Sequence, residues 1–75
     1  MPQIRDDKFL QKIAFVIKEL REAKHLTQEK VYKDTNIHIG RVETATRNLS
    51  VSTLSALCKY FKIRTSEFYK RVENL

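Results

Sequence analysis

Phe9, Ile13, Val16, Ile17 and Leu20 recur every three or four residues, the spacing that gathers side chains onto one face of an α-helix. The pattern predicts a helix over 7–24, with Asp6 or Asp7 accepting from its free N–H groups. His25 and Leu26 interrupt it, and Thr27 is then placed to cap a second helix over 28–35, with Glu29 in the electropositive first turn. That helix offers only Val31, with Tyr32 and Thr35, as a face. Two turns cannot outweigh the cost of helix nucleation, so packing must hold them. Asn36 is the next capping residue, and Ile39 and Val42 repeat at i, i+3, which predicts a third short helix over 37–45 after a tight turn. Ser50 caps a fourth over 51–61 carrying Val51, Leu54, Leu57, Cys58 and Phe61. Phe68, Tyr69 and Val72 mark a fifth over 66–73, with Thr65 as its cap.

Strict period-two alternation is absent from every apolar stretch, and the 75 residues contain one Gly and one Pro, so strands are not expected and few strong breakers exist. The expectation is an all-α fold, a compact five-helix bundle forming one domain over 1–75. No internal repeat, low-complexity segment or linker divides it. Two short helices joined as closely as the second and third suggest a helix-turn-helix.

Charge adds a partner class. Fifteen Lys and Arg against nine Asp and Glu give +6 at pH 7, which favours an acidic partner such as nucleic acid through long-range steering. The excess is spread along the chain, +1 over 1–23, +2 over 24–47 and +3 over 48–75, so charge supports this reading without locating a site.

Other classes lose ground. Cys58 is the only cysteine, which rules out an intrachain disulfide, and on the apolar face of the fourth helix it reads as an inert small hydrophobe. His25 and His38 form no ligand set with it, so no metal and no cofactor is expected. No nucleophile is paired with a base and orienting group, and no Gly-rich phosphate loop occurs, which argues against an enzyme. The polar start MPQIRDDKF does not read as a signal peptide, and no apolar run approaches the roughly 20 residues of a membrane span. The expected compartment is the cytoplasm.

A helix-turn-helix works when the first short helix anchors its N-terminus on phosphate and the second offers polar side chains to base edges in the major groove. Residues 27–45 contain these parts. The run LREAKHLTQ at 20–28 resembles the junction between helices 1 and 2 of the lambda-repressor-like (Xre/Cro) helix-turn-helix family. IGRVETATRNLSVSTLSALCKYFKI at 39–63 is similar to that family's third helix, the loop after it and the fourth helix. Together the matches span about 13–70. The resemblance implies a five-helix fold and a sequence-specific DNA-binding transcriptional regulator, a repressor, working as a homodimer on a pseudopalindromic operator. It suggests no membrane partner or small-molecule ligand.

The same resemblance assigns roles residue by residue. Thr27 and Gln28 open the second helix, and Gln28 matches the family's glutamine that binds a phosphate and braces the recognition helix. The alternative is an ordinary solvated first-turn residue. Arg21 and Glu43 match a pair that forms an enclosed salt bridge between helices 1 and 3. Asn36, His38, Gly40 and Arg41 fall where the recognition helix begins, and Arg and Asn suit bidentate reading of guanine and adenine edges. Against this, Asn36 can serve as a cap, His38 as a solvated side chain and Arg41 as a phosphate contact. Gly40, costly inside a helix, permits close approach of DNA backbone or of a neighbouring helix, or is a tolerated flaw. Arg47 and Asn48 follow where the family clamps phosphate, and Thr44 and Thr46 offer added hydroxyl donors there.

Three departures bear on that transfer. From Thr27-Gln28 to Val42-Glu43 the chain is about three residues shorter than the family pattern, in the turn or the start of the recognition helix. Ala45 stands in place of the usual helix-ending glycine, which suggests a different end to that helix because Ala tolerates positive φ poorly. Leu49 replaces a proline. The competing function is a protein-interaction module, an antitoxin or adaptor built on the same fold.

Overall fold

The computed structural model describes residues 6–45 and 49–75. Five helices follow one another: α1 (Asp7–Ala23), α2 (Gln28–Thr35), α3 (Ile39–Glu43), α4 (Val51–Tyr60) and α5 (Thr65–Glu73). No strand occurs among the described residues. The all-α, five-helix expectation therefore holds, and α1, α2 and α4 begin where the capping residues place them. The Asp6 carboxylate accepts from Phe9 N, the Thr27 hydroxyl from Lys30 N and the Ser50 hydroxyl from Thr53 N, each at 3.0–3.1 Å. Each satisfies an N–H that the helix leaves unpaired.

The periodic apolar faces converge on one core. Ile13, Val16, Ile17 and Leu20 of α1, Val31 of α2, Ile39 of α3, Leu54, Leu57, Cys58 and Phe61 at α4, and Phe68 and Val72 of α5 are all buried together. Helix α1 packs on α3 and α5, α2 on α3 and α4, and α4 on α5. The two short helices, α2 and α3, each bury one residue fully, Val31 and Ile39. Most of what holds them comes from neighbours.

Several expectations need correction. The third helix covers Ile39–Glu43, not 37–45, and Asn36 does not cap it. Asn36 adopts left-handed backbone, φ 61°, and its N–H donates to Tyr32 O at 2.7 Å, closing α2 instead. Asn is among the few residues that enter this region at low cost. His38 occupies the N-cap of α3 and makes no side-chain capping bond there. Thr65 is the first residue of α5 rather than its cap; Arg64 precedes it, also without a side-chain cap. Helices α1 and α4 stop one residue short of expectation, at Ala23 and Tyr60. Phe9 is 38% exposed and lies outside the core, stacked on Tyr69 with centroids 6.4 Å apart.

Helix endings dispense with glycine throughout. His25, Asn36, Ala45 and Lys62 follow α1, α2, α3 and α4 with φ of 57°, 61°, 55° and 58°. At α1, Leu26 N reaches Arg21 O and His25 N reaches Glu22 O. At α4, Ile63 N reaches Cys58 O and Lys62 N reaches Lys59 O. This paired pattern, with Leu26 and Ile63 turned onto the core, satisfies the last carbonyls of both helices and offsets the left-handed backbone. Ala45 enters the left-handed region despite its side chain, so α3 ends in the conformation that a glycine would favour.

Candidate nucleic-acid interface

The geometry of the α2–α3 unit rests on Glu43, the last residue of α3. Its carboxylate accepts from Arg21 Nε at 2.6 Å, from Arg21 Nη2 at 3.1 Å and from Gln28 Nε2 at 3.1 Å. Arg21 Nη1 donates in turn to Leu26 O at 2.7 Å. One guanidinium thus ties α1, the link before α2, and α3. The Arg21 and Glu43 side chains are 12% and 4% exposed. Hydrogen bonding to Glu43 raises the Arg21 pKa, against a smaller opposing effect of burial, so the guanidinium keeps its charge at any working pH. Charge-assisted bidentate geometry of this kind fixes orientation as well as contributing energy.

Gln28 is the first residue of α2, and it lies across α3 because Gly40 has no side chain. A Cβ on Gly40 would meet Gln28 Oε1 at 3.2 Å, tighter than ordinary van der Waals contact. Gly40 has negative φ, so its value lies in space and not in backbone freedom. The close approach anticipated at Gly40 is made by this neighbouring helix. With one amide N–H engaged on Glu43, Gln28 keeps a second for another acceptor.

The remaining candidates are spread over the two helices and their links. Thr27 is exposed and caps α2. His38 and Arg41 are exposed at the start and middle of α3, and with Gln28, Tyr32 and Gly40 they border a shallow depression of ≈ 380 Å³ between α2 and α3. Asn36 lies apart from it, bordering a second depression of ≈ 330 Å³ that reaches Leu49 and Thr53 and shares His38 and Arg41. Thr44 is exposed, and its hydroxyl donates to Arg41 O at 3.1 Å. Thr46, Arg47 and Asn48 lie outside the described residues.

The far end of α2 has an anchor of its own. Tyr60 of α4 donates its hydroxyl to Asp34 Oδ2 at 2.6 Å, and Lys30 pairs with Asp34 Oδ1 at 3.1 Å. The Tyr60 bond, then Lys30, lowers the Asp34 pKa, and the same bond raises that of Tyr60. Helix α2 is therefore held at both ends, by Glu43 through Gln28 and by Tyr60 through Asp34.

Two short helices braced in this way coincide with a family model described as "Helix-turn-helix", which matches residues 17–68. The chain belongs to the helix-turn-helix family. Its relation to the lambda-repressor-like members is that suggested by the 20–28 and 39–63 motifs, and the activity that goes with it is DNA-binding transcriptional regulation. No curated protein sequence matches the chain.

Among solved structures, the wild-type restriction-modification controller protein C.Esp1396I is 29% identical with a TM-score of 0.79, covering 88% of both chains. The same protein as a tetramer in complex with its natural 35 base-pair operator gives 29% and 0.78, over 88% of this chain and 91% of that one. A point variant bound to its highest affinity operator site gives 28% and 0.80, over 92% and 95%. No helix among the described residues of this helix-turn-helix chain is long and apolar enough to cross a membrane.

Tyr32 and the Asp34–Tyr60 anchor are not singled out by sequence. The sequence pattern places Tyr32 on the apolar face of α2, yet it is 39% exposed and its ring lies 4.6 Å from that of His38. Its i, i+4 spacing from Gln28 was the available signal, since it puts both on one helix face. The Asp34–Tyr60 bond joins residues 26 apart, and no local pattern marks it.

Proposed function

We propose that the chain is a sequence-specific regulator, a repressor, that places α3 in the major groove of duplex DNA and the N-terminus of α2 on the phosphate backbone. The observation that carries this reading is the Arg21–Glu43–Gln28 network. It sets the angle between α2 and α3 with a partly buried, charge-assisted brace, while His38 and Arg41 stay exposed beside Gln28. Fixed geometry between the anchoring and the reading helix lets phosphate contacts set the register in which side chains meet base edges. The operator complexes of C.Esp1396I support the choice of duplex DNA as partner.

In this reading Thr27, Gln28, Thr44, Thr46, Arg47 and Asn48 serve phosphate. His38 and Arg41 read bases, Gly40 makes room for Gln28, and Asn36 shapes the turn at the edge of the interface. Arg21 and Glu43 are structural. Residues 1–75 act as one domain, two copies bind the halves of a pseudopalindromic site, the protein works in the cytoplasm, and it binds without catalysis.

The test is selection of bound sites from a random duplex library at near-physiological salt, with wild type beside Arg41→Ala and Gln28→Ala. An inverted repeat that is lost or relaxed in Arg41→Ala supports the reading. A folded wild type that enriches no sequence overturns it in favour of a protein-interaction module.

A further inference from the structure

Helix α3 is short of reading side chains. Of its five residues, Ile39 is buried, Gly40 has no side chain, Val42 is half-buried against the core and Glu43 is committed to Arg21 and Gln28. That leaves Arg41 as the exposed polar side chain that α3 itself contributes. One side chain does not specify an operator half-site, because each base pair needs its own contact to be discriminated. The remaining base contacts have to come from side chains that the fold brings alongside α3.

The structure supplies one from α2. Tyr32 stands one turn beyond Gln28 on the same face, and its ring packs on His38 with centroids 4.6 Å apart and planes inclined by 33°. Tyr32, His38, Arg41 and Gln28 border one depression. No hydrogen bond among the described residues holds the Tyr32 hydroxyl, and 39% of the residue is open to solvent. Packing against His38 restricts the ring before any ligand arrives, so less freedom is lost on binding. An apolar ring presented in the major groove has a natural counterpart in the thymine methyl group, the one apolar feature on base edges there.

We propose that Tyr32, supported by His38, is a specificity-determining residue that reads a T·A pair in each half-site through contact between its ring and the thymine methyl. The inference rests on the DNA-reading function given above. Tyr32 thereby moves from the core-facing stripe of α2 to the recognition surface, and the surface that reads sequence spans α2 and α3.

Site selection with wild type, Tyr32→Ala, Tyr32→Phe and His38→Ala tests this, with thermal melts to establish folding and affinity for an unrelated duplex measured across salt. Tyr32→Ala is expected to keep the inverted repeat but lose preference at one T·A position per half-site, on the order of 10-fold in discrimination. Tyr32→Phe keeps the ring and the preference, and His38→Ala weakens the same position by removing the support. Affinity for the unrelated duplex stays at wild type in both Tyr32 variants. Tyr32→Ala selecting the wild-type site unchanged at every position overturns the proposal, as does an equal loss on all duplexes, which marks a phosphate contact. If Tyr32→Ala does not fold, the decision rests on Tyr32→Gln, a polar replacement at a site 39% exposed, and an unchanged site there overturns it too. A wild type that enriches nothing overturns the DNA-reading function itself, and that outcome is distinguishable because it does not depend on any Tyr32 variant.

Discussion

Replacing Glu43 by Ala removes a carboxylate that accepts three hydrogen bonds and leaves the Arg21 guanidinium with Leu26 O as its acceptor among the described residues. Breaking one side of a buried pair costs about 3–5 kcal/mol, mostly because the surviving charge is left without a partner. Arg21 is 12% exposed, and water reaching it recovers part of that, which places the expected loss near the lower end, about 3 kcal/mol. At about 0.05–0.15 kcal/mol per residue, a chain of this length has a total stability of roughly 4–11 kcal/mol. The loss is therefore a large share of the whole. For a domain of this size, about 4–8 °C per kcal/mol translates it into a Tm lower by roughly 12–24 °C. A thermal melt followed by circular dichroism measures it.

The double replacement Arg21→Met with Glu43→Leu removes both charges together, and its stability should return to within about 1 kcal/mol of wild type or exceed it. Because Gln28 then has no carboxylate to hold it, the double variant should stay impaired in DNA binding although it is folded. A Glu43→Ala protein that melts within about 2 °C of wild type would refute the reasoning. So would a double variant that binds operator as wild type does.

Four further outcomes follow from the same geometry. Ala45→Gly should stabilise the protein by about 0.5–1 kcal/mol, the left-handed penalty relieved less the added unfolded-state entropy, and a raised Tm checks it. Gly40→Ala should leave the melt equal or slightly raised, because Ala is the better helix former, while operator affinity falls as Gln28 is displaced by the new Cβ. Thr27→Ala should cost about 1 kcal/mol in a denaturant melt, since the Lys30 N–H loses its cap. The Asp34–Tyr60 bond should matter at both ends of the pH scale. The Asp34 pKa lies below its ordinary 3.8, so that contribution is present above this value and lost as pH falls through the folded value. The Tyr60 pKa lies above 10.0, so its contribution is present below that and lost as pH rises through the folded value. Stability measured against pH should show both limbs flattened in Tyr60→Phe, and unchanged limbs would refute the assignment.

Sequence by itself determined where α1, α2 and α4 begin and which faces they bury. Those decisions are local: Asp6, Thr27 and Ser50 each bond an N–H three residues on, and the apolar stripes repeat within a single helix. It also marked the two short helices as a unit, and the motifs at 20–28 and 39–63 directed attention to Arg21, Gln28 and Glu43. Tertiary structure decided the rest. Whether Asn36 opens α3 or closes α2 depended on the turn that brings Ile39 into the core, and on that path Asn36 takes left-handed backbone. Phe9 has the period of a core residue but lies at the edge of the α1–α5 contact, 38% exposed and stacked on Tyr69. The roles of Gly40 and Tyr32 were set the same way, by a glutamine side chain lying over one and a histidine ring beside the other. A brace between residues 22 apart has no local period to announce it, because its partners meet only after the helices have packed.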